Sequence, residues 1–282
     1  MTTITASPAA SAGALTPGAE FLPTKEHRRF VEFADACRRH RYIGICRGPP
    51  GVGKTASARR YADWDELEPW LPHRFDREHH PPPRVLARAR TALWTPTVIA
   101  SPRQLEDQIR NITTTISNAV EDLHRPEEDW IRYQPGIPHC ELLIVDEADR
   151  LKTTALEQLR DFFDRHQIGL ILIGMPGLEK RLARYPQLYS RIGFAHRYQP
   201  LSTNELRFVL AHHWHRLGLT LDLEDFTDAE AISAIARITN GNFRLVHRLL
   251  AQAERILEIN HLHTITAEVV DAARETLVIG GE

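Results

Sequence analysis

Four short apolar runs punctuate an otherwise polar chain: "YIGIC" at 42–46, "ALWTPTVIA" at 92–100, "LLIV" at 142–145 and "GLILIG" at 169–174. Each is too short for a buried helix, and each is bounded by polar or turn-forming residues, so each predicts a buried strand. Between them the period changes to that of helices. Thr24 is placed to cap a helix over 25–39 that puts Phe30, Val31, Phe33, Ala34 and Cys37 on one face. Ser101 and Pro102 open another helix, and a third is expected over 154–166. Strands alternating with helices predict a doubly wound parallel sheet, with any ligand at the strand C-termini. From Ser202 onward the pattern is helix after helix, with Ser/Thr-x-x-Glu capping boxes read at "STNE" (202–205) and "TDAE" (227–230).

The pattern divides the chain into three parts. Residues 1–21, rich in Ala, Ser, Thr, Pro and Gly, read as a flexible tail. Residues 22–200 read as an α/β nucleotide-binding domain, with a polar, Pro-rich insertion at about 64–91 expected to be exposed. Residues 201–282 read as a small helical domain. The N-terminus has neither the charge nor the apolar run of a signal peptide, and no 18-residue apolar stretch occurs. A soluble, cytoplasmic protein without a membrane partner is the expectation. Three widely spaced cysteines, with no C-x-x-C, argue against a disulfide framework and a zinc site. His212 and His215 share a helical face without a third ligand, and Trp214 beside them is expected in a core.

Chemistry enters with "GPPGVGKT" at 48–55, directly after the first apolar run and before a helical stretch. This is G-x-x-x-x-G-K-[ST], the phosphate-binding P-loop, in its strand–loop–helix context. The expected nucleotide contacts are Gly48, Pro49, Pro50, Gly51, Val52, Gly53, Lys54, Thr55 and Ala56. Lys54 would reach the β- and γ-phosphates of ATP, and Thr55 would offer its hydroxyl to Mg²⁺. In "VDEAD" (145–149), Asp146 and Glu147 follow four buried aliphatics. That places Asp146 for the Mg²⁺ shell and Glu147 for orienting the attacking water. The net charge is only −2, so nucleic-acid contact requires a local patch. Residues 24–60 supply one, with ten Lys or Arg against three carboxylates.

The P-loop, "VDEAD", "SRI" (190–192) and "GNFR" (241–244) come in the order and spacing of AAA+ ATPases, which the chain resembles over roughly 22–275. "LLIVDEADRL" and "IGLILIGMPGLEKRL" further resemble the transposition helper ATPases, the TniB, MuB and TnsC group. The resemblance implies a P-loop AAA+ domain with a helical lid and an ATPase that assembles as a ring or filament. It implies double-stranded DNA, a transposase and a target-selection protein as partners. It implies Arg191 as an arginine finger acting on a neighbouring subunit, Arg244 as the lid arginine facing the nucleotide, and Arg103 as a contact to the DNA backbone. At the polar position that such proteins often carry after the fourth strand, this chain has Met175, a poor donor or acceptor. A signalling or secretion-type ATPase switch that never touches DNA, and a replication initiator or loader, remain the competing readings.

Overall fold

In the computed structural model, residues 21–97, 101–124, 139–222 and 224–277 are described. The expected tail lies outside them except for Phe21, whose ring meets His27 edge-on at 4.6 Å. Helix α1 (Lys25–His40) starts where expected: the Thr24 side chain accepts the His27 N–H, and Phe30, Phe33, Ala34 and Cys37 are buried. Strand β1 (Ile43–Arg47) leads through the P-loop into α2 (Lys54–Tyr61). There follow α3 (Trp64–Trp70), β2 (Thr91–Trp94), α4 (Pro102–His124), β3 (Leu142–Val145), α5 (Thr153–His166) and β4 (Gly169–Gly174). Two short helices, α6 (Leu178–Leu182) and α7 (Pro186–Tyr189), precede β5 (Ile192–Arg197).

All neighbouring strands pair in parallel, in the order β2-β3-β4-β1-β5. The expected doubly wound sheet is therefore present. Strands β1 and β3 lie on either side of β4, with Arg47 opposite Gly174 and Val145 opposite Leu172. Their C-terminal ends, which carry the P-loop and Asp146, thus open on the same edge. Strands β2, β3 and β4 are buried on both faces, although β2 is an edge strand, because α4 packs against it; β5, at the other edge, alternates between half-buried and exposed positions. Strand β2 is shorter than the run at 92–100: it stops at Trp94, before Pro96.

The stretch 64–91 corrects an expectation. Its charged residues face outward, but Trp64, Leu67, Trp70, Leu71, Val85 and Leu86 are buried in the main core, Trp64 to 4% exposure. Apolar positions three apart in "WDELEPW" put one face of α3 inward, and the interleaved acids hid that face from a compositional reading.

A second buried cluster is built by α8 (Thr203–Arg216), α9 (Phe226–Thr239), α10 (Phe243–Asn260) and α11 (Ala267–Glu275). Trp214 lies within it at 1% exposure, its indole N–H donating to Asp228 at 3.3 Å. The capping box at Ser202 and Glu205 forms. The one read at 227–230 does not: Asp225 caps α9 two residues earlier, accepting the Thr227 and Asp228 N–H groups. A carboxylate is as good a cap as a hydroxyl and, lying upstream, starts the helix first. Helix α1 ties the two clusters together. The buried Glu26 accepts the Gln199 N–H through its carboxylate, and its own N–H donates to the Glu205 carboxylate.

Candidate functional site

Lys54 opens α2, following Gly53 in the left-handed region (φ 109°). Its ammonium turns back and donates to the carbonyls of Gly48 (2.6 Å) and Pro49 (2.7 Å). Burial pulls the Lys54 pKa down, with nearby carboxylates opposing the shift and the Arg244 charge adding to it. Arg244 reaches the loop from the second cluster through its backbone, its N–H donating to the Gly51 carbonyl at 2.9 Å. The Thr55 hydroxyl donates to Asp146 Oδ2 at 2.7 Å, and Asp146 Oδ1 accepts the Glu147 N–H at 2.9 Å. Asp146 is 4% exposed. A hydroxyl and a buried carboxylate side by side are hard oxygen donors, the chemistry that suits Mg²⁺.

Glu147 lies in the left-handed region (φ 51°), and its carboxylate pairs with Arg150, which also donates to the Pro96 carbonyl. The end of β4 is held by a different acid of the same motif. Asp149 accepts the Met175 N–H at 2.6 Å, while the Met175 side chain is 41% exposed. Asp149 thus ties the end of β3 to the end of β4 through the backbone, and the Met175 thioether takes no part in that bond.

Not every expected residue gathers here. Arg191 precedes β5, and its carbonyl accepts the Ile43 N–H at the start of β1, so it lies at the sheet edge opposite the P-loop. Its guanidinium grips Asp164 with two bonds, 2.6 and 2.8 Å. Arg103 is exposed in the first turn of α4, where Ser101 accepts the Gln104 N–H. The basic cluster at 24–60 is weaker than its composition: Arg29 pairs with Glu26, Arg38 and Arg39 with Asp35, Arg47 with Glu179, and Arg59 with Asp65 and Glu68. Much of its charge is neutralised within the fold.

A cavity of about 340 Å³ between the two clusters escaped the sequence reading. Val52, Gly53 and Ala56 line its floor, Tyr198 a wall, and Phe243 and His247 of α10 its roof. Behind the floor, Ser57 bridges His27 (3.1 Å) and Tyr198 (2.8 Å). Phe243 stands beside Arg244 in "GNFR", which is the one signal that pointed toward this space.

Strand, P-loop and helix, an acidic strand end beside them and a helical cluster closing over a cavity define the P-loop AAA+ fold. Residues 37–182 match the AAA domain family, and the chain belongs to that family. It is 46% identical over 275 residues, covering 94% of this chain and 99% of the other, to a Staphylococcus aureus protein described as a potential ATP-binding protein. The fold is similar to the RuvB Holliday junction branch migration motor of Thermotoga maritima, at TM-score 0.55 and 17% identity, covering 90% of this chain and 69% of RuvB. It is also similar to the ORC2 protein of Aeropyrum pernix, at TM-score 0.56 and 15% identity, covering 94% and 71%. Among the described residues no helix is long and apolar enough to cross a membrane.

Proposed function

We propose that the chain is a Mg²⁺-dependent ATPase that assembles on duplex DNA and recruits or activates a transposase. One observation carries the ATPase reading: the Lys54 ammonium folded back on the P-loop and the Thr55–Asp146 bond lie at one sheet edge, with the Arg244 N–H bonded to Gly51 and a cavity of about 340 Å³ alongside. In this reading the phosphates lie along the P-loop and the base enters the cavity under Phe243. Thr55 and Asp146 would hold the ion, which when bound would supply charge neutralisation for phosphoryl transfer. Glu147 leaves Arg150 to orient the attacking water, and Arg191 acts on the nucleotide of a neighbouring copy, since its own lies across the sheet. Support for the DNA-linked role is the sequence resemblance to the transposition helpers. The basic cluster adds little to it, because five of its arginines are paired.

The test is turnover and DNA co-sedimentation of the purified chain. Lys54→Ala is expected to lose ATP binding. Glu147→Gln is expected to bind ATP, remain assembled on DNA and fail to turn over. Normal turnover in Glu147→Gln refutes the site assignment. A wild-type protein that hydrolyses ATP but neither pellets with DNA nor responds to it refutes the DNA role and leaves the switch reading in its place.

A further inference from the structure

The P-loop carries two prolines directly after Gly48, and these make it depend on the lid. Pro49 and Pro50 carry no N–H, so the first peptide after Gly48 able to offer one to a phosphate is Pro50–Gly51. In a trans peptide the C=O and the following N–H point in opposite directions. Whatever fixes the Pro50 carbonyl therefore aims the Gly51 N–H, and whatever fixes the Gly51 carbonyl aims the Val52 N–H. Both carbonyls are held from the lid. Asn242 Nδ2 donates to Pro50 O at 2.9 Å, and the Arg244 N–H donates to Gly51 O at 2.9 Å.

The approach is close enough to dictate sequence on the other side. A Cβ on Gly51, which has φ +78°, would stand 2.5 Å from Asn242 Oδ1 and 3.0 Å from Arg244 Cβ. Asn242 also serves its own helix, because its Oδ1 accepts the Leu245 N–H at 3.2 Å and caps α10. One amide thus commits its acceptor to the lid helix and its donor to the P-loop. Meanwhile Lys54 holds the Gly48 and Pro49 carbonyls, and those two bonds are given up when the ammonium turns to phosphate. Once that happens, the bonds from Asn242 and Arg244 are what keep carbonyls 50 and 51 turned outward.

We propose that Asn242 is a positioning residue for nucleotide binding, whose amide orients the Pro50–Gly51 peptide so that the first N–H of the phosphate cradle faces the ligand. It acts through the P-loop and touches no phosphate itself. The inference rests on the reading of the P-loop as an ATP site. Because the first cradle N–H groups serve the α- and β-phosphates, ATP and ADP are affected alike. That separates Asn242 from residues acting on the γ-phosphate or on water.

The experiment exploits the two ends of the amide. Asn242→Ser and Asn242→Asp both keep a good N-cap, while both lose the Nδ2 donor to Pro50. Serine does so without adding charge. The full chain is measured for melting temperature without nucleotide and for ATP and ADP affinity by calorimetry. Expected are a melting temperature close to wild type and affinities for both nucleotides reduced roughly 3- to 10-fold in Asn242→Ser, the loss of one hydrogen bond. Asn242→Asp should weaken both further, because its carboxylate faces the Pro50 carbonyl. Wild-type affinity in Asn242→Ser, or a loss confined to ATP, overturns the proposal. Lys54→Ala is run alongside: if it retains wild-type affinity, the P-loop reading itself fails. If it loses binding while Asn242→Ser does not, the failure belongs to Asn242 alone.

Discussion

If Arg191 is the proposed finger, replacing it with alanine should separate stability from catalysis by a wide margin. In the folded subunit the Arg191 and Asp164 side chains are each about a third exposed. An ion pair of that exposure contributes about 0–1 kcal/mol. Its removal should lower the melting temperature by no more than about 3 °C in a chain of this size. Nucleotide affinity should not change, because Arg191 sits beside the start of β1 and the P-loop follows its end. Against this small structural cost, an arginine finger accounts for roughly 10³–10⁵ in rate, or about 4–7 kcal/mol of barrier. Arg191→Ala should therefore fold, bind ATP and lose nearly all turnover.

Mixing two inactive proteins makes the assay decisive. Arg191→Ala retains a complete P-loop site with Glu147, and Glu147→Gln retains Arg191. If the site is completed between subunits, mixed assemblies contain interfaces with both groups intact and recover part of the wild-type rate. Recovery should peak at an intermediate mixing ratio. Wild-type turnover in Arg191→Ala alone, or a mixture as inactive as its parts while co-assembly is verified, refutes the reasoning.

Acid should destabilise the protein from an unusually high pH. Burial is the largest cause holding His27, His196, His213 and His247 below the ordinary imidazole range, His213 at about 4. Their contribution is full above about pH 6.5 and is lost as pH falls through the folded values, because the unfolded chain binds the protons first. Melting temperature should fall between pH 7 and 5, with a shallower slope in His213→Gln; a flat profile over that range contradicts this. Trp64→Ala should cost about 3–5 kcal/mol in denaturant unfolding, as for a core tryptophan, and a cost under about 1 kcal/mol would return 64–91 to the surface. Arg103→Ala should weaken DNA binding equally on unrelated sequences and reduce the salt slope by about one, whereas an unchanged slope removes Arg103 from the interface.

What could be read ahead of the structure was what is local. Thr24 and His27 are three residues apart, so the start of α1 needed no tertiary knowledge. The aliphatic run of β3 stops at Asp146, and the P-loop announces its own geometry, so the two halves of the Thr55–Asp146 pair were legible before their 2.7 Å contact was seen. The errors came from partners lying far along the chain. The charge at 24–60 looked free because Asp65, Glu68 and Glu179, which neutralise Arg59 and Arg47, fall outside that window. The cavity was invisible because its wall is assembled from α1, the P-loop, the end of β5 and α10. Asp149 was overlooked because its bond to the Met175 backbone crosses from one strand end to another, and backbone acceptors and donors leave no mark in a sequence.

Among the described residues the helical cluster is bonded to the sheet domain through the chain between Tyr198 and Ser202, the Glu26–Glu205 junction, and the contacts of Asn242 and Arg244 with the P-loop. The first two are adjacent in the fold, since Glu26 also binds the Gln199 N–H. Mechanically they act as the two pins of a hinge, and the third acts as its latch. With the latch released, a body held at two pins keeps one rotation, about the line through them. Any opening of the helical cluster over the cavity is then confined to that rotation. Because Glu26 of α1 forms one of the pins, the first helix, packed on the sheet, fixes where that axis runs.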